Sequence, residues 1–353
     1  MEGKENKGSQ TSGENSSGPK SVQLLRFQKI EETVKEMIKE NPNRFENNSN
    51  PFVMVDLGCA DGRSATPAFD LMIKVIREVN QDLPICIYLV DAPSTDFSLA
   101  MKNVTSGLEK YSNIWIYSIG RSFYESLFPP NSVDLIHSSH ALHFIPKVPG
   151  TLNSLAYFDV DTMSETPEGK EWQKEAIEAW EKLLCLREKE LKKDGCMIGL
   201  IPTISDPPTS EDLNFMQPFI GLRKCLINSL NKFQIKDELY HMPIAMRSVT
   251  RVKAPFDDKK TQLQLLGMDG CQNSLFVLDQ NLEESAKRYI ALFRAATSGA
   301  LRNAMKSNGL EDELINKVFE DLYEKEVREY FHASELSKKP LIASYVILTA
   351  KKI

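Results

Sequence analysis

The residues best suited to chemistry lie in three short blocks. In the first, the apolar stretch Val53-Met54-Val55 leads to Asp56-Leu57-Gly58 and then to Cys59-Ala60-Asp61-Gly62. An acidic residue ends an apolar run, and two glycines follow at G-x-x-x-G spacing. Glycine at such a turn lets a ligand approach backbone N–H groups that a side chain would screen. The spacing differs from the dinucleotide fingerprint, and no Lys-Ser/Thr pair follows it, so a phosphate-binding P-loop is excluded. In the second block the apolar run Pro84–Val90 ends at Asp91. Carboxylates ending two adjacent strands can accept hydrogen bonds from the diol of a nucleoside-like ligand. Each can equally cap a following helix. In the third block His137, His140 and His143 recur every three residues after the apolar run Val133–Ile136. A helical i, i+3 pair of histidines can ligate zinc. This segment follows a strand and has no third ligand type clustered with it. Imidazoles facing a pocket, or polar groups satisfying a loop, are the competing readings, and no metal is expected.

These blocks need a scaffold that brings strand ends together. Apolar runs at Phe52–Leu57, Pro84–Val90, Asn113–Ile119, Val133–Ile136 and Cys196–Ile201 are too short for globular helices. Helical spacing fills the gaps at 67–80, 96–110 and about 167–193, and a further helix precedes them at 23–40, where Leu24, Phe27, Ile30, Val34 and Met37 share a face. Asn41–Pro51 reads as a loop. Short buried strands alternating with helices predict a doubly wound α/β sheet, parallel and covered on both faces. After Pro202 the pattern changes. Helices are expected at 211–232 and, as two or three pieces, across 282–330, with strands at 261–267 and 341–349. Returning those two strands to the sheet leaves the helices as a cap. The expected organisation is a flexible tail at 1–20, a core of 21–205 with 258–280 and 335–353, and a helical cap of 206–257 with 281–334. Trp172 and Trp180 should pack on the sheet, and Arg187–Lys193 reads as a solvated helix face.

Composition narrows the partners. The 353 residues carry 43 basic and 49 acidic side chains, a net charge of −6, without a Lys/Arg block, so no nucleic-acid partner is expected. No 18-residue apolar stretch predicts a transmembrane helix, and the polar start lacks the apolar core of a secretory signal. Six cysteines without CxxC spacing argue against a zinc ribbon or a disulfide scaffold and for a reducing, cytoplasmic compartment.

With these residues in view, the chain resembles the plant-type salicylic acid, benzoic acid and theobromine methyltransferase family, SABATH. Asp56-Leu57-Gly58-Cys59 is similar to its D-L-G-C motif, and the longer D-x-G-x-x-x-G pattern is typical of S-adenosylmethionine binding. Asp91-Ala92-Pro93-Ser94-Thr95-Asp96-Phe97 is similar to D-L-P-x-N-D-F. Ser122–Pro129 and His137–Phe144 are similar to S-F-Y-x-x-L-F-P and H-S-S-Y-S-L-H-W. The resemblance covers most of residues 21–353. It implies a Rossmann-like methyltransferase sheet with a mostly helical cap. It also implies S-adenosyl-L-methionine as cofactor and methyl transfer to a small molecule, most often to a carboxylate oxygen. By matched position, Asp56, Gly58 and Cys59 would line the methionine and ribose side, with Ser64 at the family's Asn. Asp91, with Ala92 beside it, would accept from the ribose hydroxyls, Ser122 and Phe123 would meet the adenine, and Ser138 would lie near the methionine. His140 and His143 would face the acceptor. The resemblance also makes a homodimer plausible.

A carboxylic acid with pKa about 4 is ionised at pH 7, so its methylation needs alignment and no general base. His143 is therefore assigned to holding one carboxylate oxygen. Departures from the family pattern bear on the acceptor. His140 replaces Tyr and Phe144 replaces Trp. The family's carboxylate-binding Gln falls on Pro19, or on Gln23 if the alignment slips by four. Phe219 and Phe293 are pocket candidates on the cap. The expected reaction makes methyl esters of a small or aliphatic carboxylic acid. The alternatives are N- or O-methylation of an alkaloid, phenol or phosphonate, with His140 as base, and a non-catalytic protein that binds the cofactor.

Overall fold

The computed structural model describes residues 22–236 and 240–353. The expected tail, with Pro19, lies outside the described residues. Among the described residues nine strands run β1 Phe52–Leu57, β2 Ile85–Asp91, β3 Ile114–Gly120, β4 Val133–Ser139, β5 Tyr157–Phe158, β6 Leu191–Thr203, β7 Ala245–Met246, β8 Leu263–Phe276 and β9 Leu341–Lys352. Seven form one sheet in the order β3-β2-β1-β4-β6-β9-β8, while β5 and β7 pair separately. Neighbours from β3 to β6 are parallel. β9 is antiparallel to both β6 and β8. The order reverses between β1 and β4, which opens a crevice at their carboxyl ends, where open α/β sheets bind ligands.

The apolar runs are continuous because both faces of the central strands are covered. Met54, Ile87 and Ile198 pack with Ile30, Val34, Phe69 and Met72 of helices Val22–Glu40 and Ala65–Val79. Val55, Ile136 and Met197 pack on the other face with Trp172, Trp180 and Leu183 of helix Pro167–Glu190. Neighbouring residues on one strand thus enter different clusters, as strand periodicity requires. Trp172 and Trp180 place their indole N–H groups on the carbonyls of Gly150 and Val252, each at 2.9 Å. Helices Ser210–Lys232, Leu282–Ser307 and Asp312–Asp321 contribute to a third cluster, with Phe215, Phe219, Tyr289, Phe293 and Phe319, against Tyr345 and Ile347 of β9.

The structure departs from the sequence reading in several places. β8 continues to Phe276, well past 267. It is an edge strand whose exposed positions include Gln264, Gln272 and Ser274, so its polar alternation hid the continuation. Loop Asn41–Pro51 contains a short helix, Pro42–Glu46, and helix Val249–Asp257 was not anticipated. The charged helix ends at Glu190. Arg187 and Glu190 do not form a solvated face: they are 0% and 2% exposed and pair at 3.0 Å.

Candidate active site at the carboxyl ends of β1, β2 and β4

The turn after β1 is built around positions that require glycine. Gly58 has φ +81°, and a Cβ there would lie 2.1 Å from the Ala141 Cβ. Gly62 has φ +80°, and a Cβ there would lie 2.9 Å from the Ala100 carbonyl oxygen. The Gly58 N–H donates to the Val90 carbonyl at 2.8 Å. Asp91 secures the same turn from β2. One carboxylate oxygen accepts from the Ala60 N–H and the other from the Ala92 N–H, both at 2.7 Å. Each oxygen keeps a lone pair for a further donor such as a ribose hydroxyl. Asp56 is deployed differently. It is 2% exposed and its carboxylate is bonded to the His137 Nδ1 at 2.6 Å. The pair ties β1 to β4 beneath the turn. Cys59 is buried, and burial pushes its thiol well above the ordinary range, so it is inert.

The end of β4 joins the glycine turn to the histidines. The buried Ser138 donates to the Leu57 carbonyl at 2.7 Å, which occupies its hydroxyl with the strand ends. Ser139 is the more connected residue. Its hydroxyl accepts from Arg26 Nη1 at 2.7 Å and meets His140 Nδ1 at 2.8 Å. Arg26 also donates to the Ser64 hydroxyl and carbonyl, both at 3.2 Å. His140 sits at φ +61°, a left-handed conformation uncommon for a residue with a Cβ. Its ring meets Tyr345 edge-on, 5.2 Å between centroids. His143 is 7% exposed, and its buried Nδ1 has no partner among the described residues. Burial, reinforced by Arg26 and His137, lowers the His140 pKa to about 4. Burial, reinforced by His140 and Arg247, lowers that of His143 to about 3. Both imidazoles are therefore neutral at pH 7. Arg247 is itself buried and donates to the Ala176 and Leu142 carbonyls, each at 2.9 Å.

The loop after β3 carries Ser122 and Phe123, both half-buried. The Ser122 hydroxyl accepts from the Tyr124 N–H at 3.2 Å, and the Tyr124 hydroxyl donates to the Phe144 carbonyl at 2.6 Å. Arg187 donates to the Phe123 carbonyl at 3.1 Å and the Glu125 carbonyl at 2.8 Å, while Glu190 accepts from the Leu127 N–H at 2.7 Å. A buried ion pair on the long helix thus fixes this loop. Its signal was present in the sequence, since positions 180, 183, 187 and 190 share a helical face with Trp180.

The remaining predicted residues separate into groups. Phe144 packs at the margin of the cap cluster, within which Phe219 and Phe293 are buried with ring centroids 5.8 Å apart. Gln23 is exposed on the first turn of helix Val22–Glu40. The cap reaches the β2 loop where Asn303 bonds the Ser94 hydroxyl at 3.3 Å. Among the described residues no three His, Cys, Asp or Glu side chains are grouped to hold a metal ion. A separate cleft of about 490 Å³, lined by Leu152, Met163, Met216 and Ile220 among others, includes none of the predicted site residues. Sequence reasoning missed Arg26, Ser139, Arg247 and Tyr345. Ser139 lies within the His137–Phe144 block but was given no role, and the other three lie outside the motifs.

Comparison with known proteins bears on this geometry. A profile of the SAM dependent carboxyl methyltransferase family matches residues 2–351. A salicylate/benzoate carboxyl methyltransferase from Arabidopsis thaliana is 27% identical over 214 residues, covering 57% of this chain and 56% of the relative. A protein named probable caffeine synthase 2 from Camellia sinensis is 24% identical over 316 residues, covering 84% of each chain. Among solved structures, a loganic acid methyltransferase with SAH superposes with a TM-score of 0.69 at 18% identity, covering 92% of this chain and 91% of that one. The residues present fit S-adenosylmethionine. The turn has glycines where a Cβ would fill the space, and Asp91 offers acceptor capacity at the end of β2.

Proposed function

The chain belongs to the S-adenosylmethionine-dependent carboxyl methyltransferase family, and from that premise we propose that it makes methyl esters of a small or aliphatic carboxylic acid. The observation that carries this reading is the neutrality of His140 and His143. Groups with pKa about 4 and about 3 are poor proton acceptors at pH 7. An acceptor that is already a carboxylate needs none.

Bound S-adenosylmethionine supplies a methyl group activated by its sulfonium. In this reading Asp91 accepts from the ribose diol, and Ser122 and Phe123 receive the adenine. The neutral His143 donates one hydrogen bond to a carboxylate oxygen and leaves the other oxygen to attack. Ser139 orients His140 through Nδ1. Arg247, charged and buried beside His143, favours an anion over a neutral acceptor. The surrounding apolar residues exclude water and hold the reacting atoms in line. Phe144 and the Phe219–Phe293 pair behind it suit an apolar tail. The compartment proposed is the cytoplasm, since all six cysteines are free thiols.

The relative named as a caffeine synthase favours a second reading, N-methylation of a purine-like acceptor. Incubation with labelled S-adenosylmethionine and a panel of carboxylic acids, phenols and xanthines separates the two. Methyl esters detected by mass spectrometry, formed at a rate flat above about pH 6, support ester formation. Methylated xanthine or phenol without ester, at a rate rising with pH, overturns it.

A further inference from the structure

Helix Val22–Glu40 brings a charged group to the site that no sequence motif marks. Arg26 is 1% exposed, and among the described residues it forms no ion pair. Its hydrogen-bond acceptors are all neutral: the Ser64 hydroxyl, the Ser64 carbonyl and the Ser139 hydroxyl. Its Nε is buried without a partner. Asp56 acts on it only through space, and that carboxylate is already bonded to His137. Other buried cations divide into two kinds: Arg77 and Arg247 donate to backbone carbonyls, and others are paired. Arg187 pairs with Glu190 at 3.0 Å and Arg44 with Asp134 at 2.7 Å. A guanidinium withdrawn from water without a counter-charge is costly, so a buried one points to an anion that arrives with a ligand.

The position selects the anion. Ser64 closes the glycine turn after β1, and Ser139 ends β4. Arg26 therefore spans the two strand ends that flank the donor's turn. The acceptor-side groups, His143 and Arg247, are instead tied to segments 142–145 and 245–248. We propose that Arg26 is the counter-ion of the donor's amino-acid carboxylate, with Ser64 and Ser139 holding the guanidinium in register. Arg–carboxylate hydrogen bonds are short, charge-assisted and often bidentate, which suits an α-carboxylate. The same carboxylate is present before and after transfer, so the contact serves substrate and product alike. This inference rests on the donor assignment above.

Calorimetry on the full chain tests it with two probes. S-adenosylhomocysteine carries the carboxylate. 5′-Methylthioadenosine has the same adenosine and thioether without the amino-acid end. The wild-type chain is expected to prefer S-adenosylhomocysteine by at least roughly 10-fold, and Arg26→Gln to lose roughly 10- to 100-fold for it while 5′-methylthioadenosine changes less than about twofold. Arg26→Lys should recover part of the loss. Equal wild-type affinity for the two probes overturns the proposal without any variant. So does equal loss for both in Arg26→Gln, which marks a structural role. Unchanged S-adenosylhomocysteine affinity with a raised acceptor KM also overturns it and moves Arg26 to the acceptor. Absence of binding by either probe to the wild-type chain refutes the donor assignment itself, a distinct failure.

Discussion

Replacing Gly58 with alanine probes how tightly the donor turn is coupled to the acceptor side. Two costs are legible at this position. The backbone is left-handed at φ +81°, which costs a residue with a Cβ about 1–2 kcal/mol. The new methyl also falls 2.1 Å from the Ala141 Cβ, closer than two carbons can stand, and overpacking of this kind costs about 1–3 kcal/mol. Together Gly58→Ala should lose roughly 2–5 kcal/mol. Adding Ala141→Gly removes the collision and leaves the backbone cost, so the two substitutions should couple favourably by about 1–3 kcal/mol. Urea unfolding at constant m measures each variant. The same strain has a catalytic signature. Ala141 lies between His140 and His143, so displacing it should raise the acceptor KM more than it weakens S-adenosylhomocysteine binding, and the double variant should restore the KM. A loss below about 0.5 kcal/mol in Gly58→Ala, or no relief from Ala141→Gly, refutes this account of the turn.

Three further outcomes are expected. Asp91→Ala removes the acceptor of the Ala60 and Ala92 N–H groups and the proposed ribose partner; calorimetry should show at least roughly 10-fold weaker S-adenosylhomocysteine binding. Arg187→Met strands the buried Glu190 carboxylate and should cost about 3–5 kcal/mol in denaturant unfolding, whereas the Arg187→Met/Glu190→Leu pair should cost less, because no lone charge remains. Acid should destabilise the fold through the two histidines. Their folded pKa values, about 4 and about 3, lie below the unfolded value of about 6.5, so the unfolded chain binds protons that the folded chain refuses. Their contribution is complete above pH about 6.5 and is lost as pH falls through about 4 for His140 and about 3 for His143. His143→Gln should flatten the dependence of the urea midpoint on pH in that window; an unchanged slope counts against a buried neutral imidazole.

Much of the architecture was legible because it depends on local periodicity. Five strands and the helices between them appear as short apolar runs and as i, i+3/i+4 spacing, since both faces of a parallel sheet are covered and each helix buries one stripe. The glycine turn was legible because two of its three positive-φ positions, 58 and 62, are glycines; the third, Ala60 at φ +46°, carries no such signal. Reading failed where burial depended on a partner distant in the chain. Arg187 and Glu190 looked like a solvated charged run, yet they are buried because they neutralise each other and because the loop after β3, more than 60 positions away, accepts from Arg187 and donates to Glu190. The second half of β8, beyond the expected 261–267, escaped because an edge strand alternates and lacks an apolar run.

The functional residues divide along the same line. Residue types within a few positions of a strand end, such as Asp56, Gly58, Asp91, His140 and His143, announce themselves in sequence, because one backbone turn sets their chemistry. Which of them is free to meet a ligand does not follow from that. Asp56 is bonded to His137, 81 positions away, and Ser138 to Leu57, also 81 positions away. Arg26 meets Ser139 across 113 positions. Local order therefore determined the turns, the strand ends and the kinds of groups offered there. The tertiary packing alone decided which groups are tied down, which are stripped of water and kept neutral, and where a buried cation stands beside the donor's turn without a paired carboxylate, because those properties arise from the low-dielectric contacts between segments that the chain order keeps far apart.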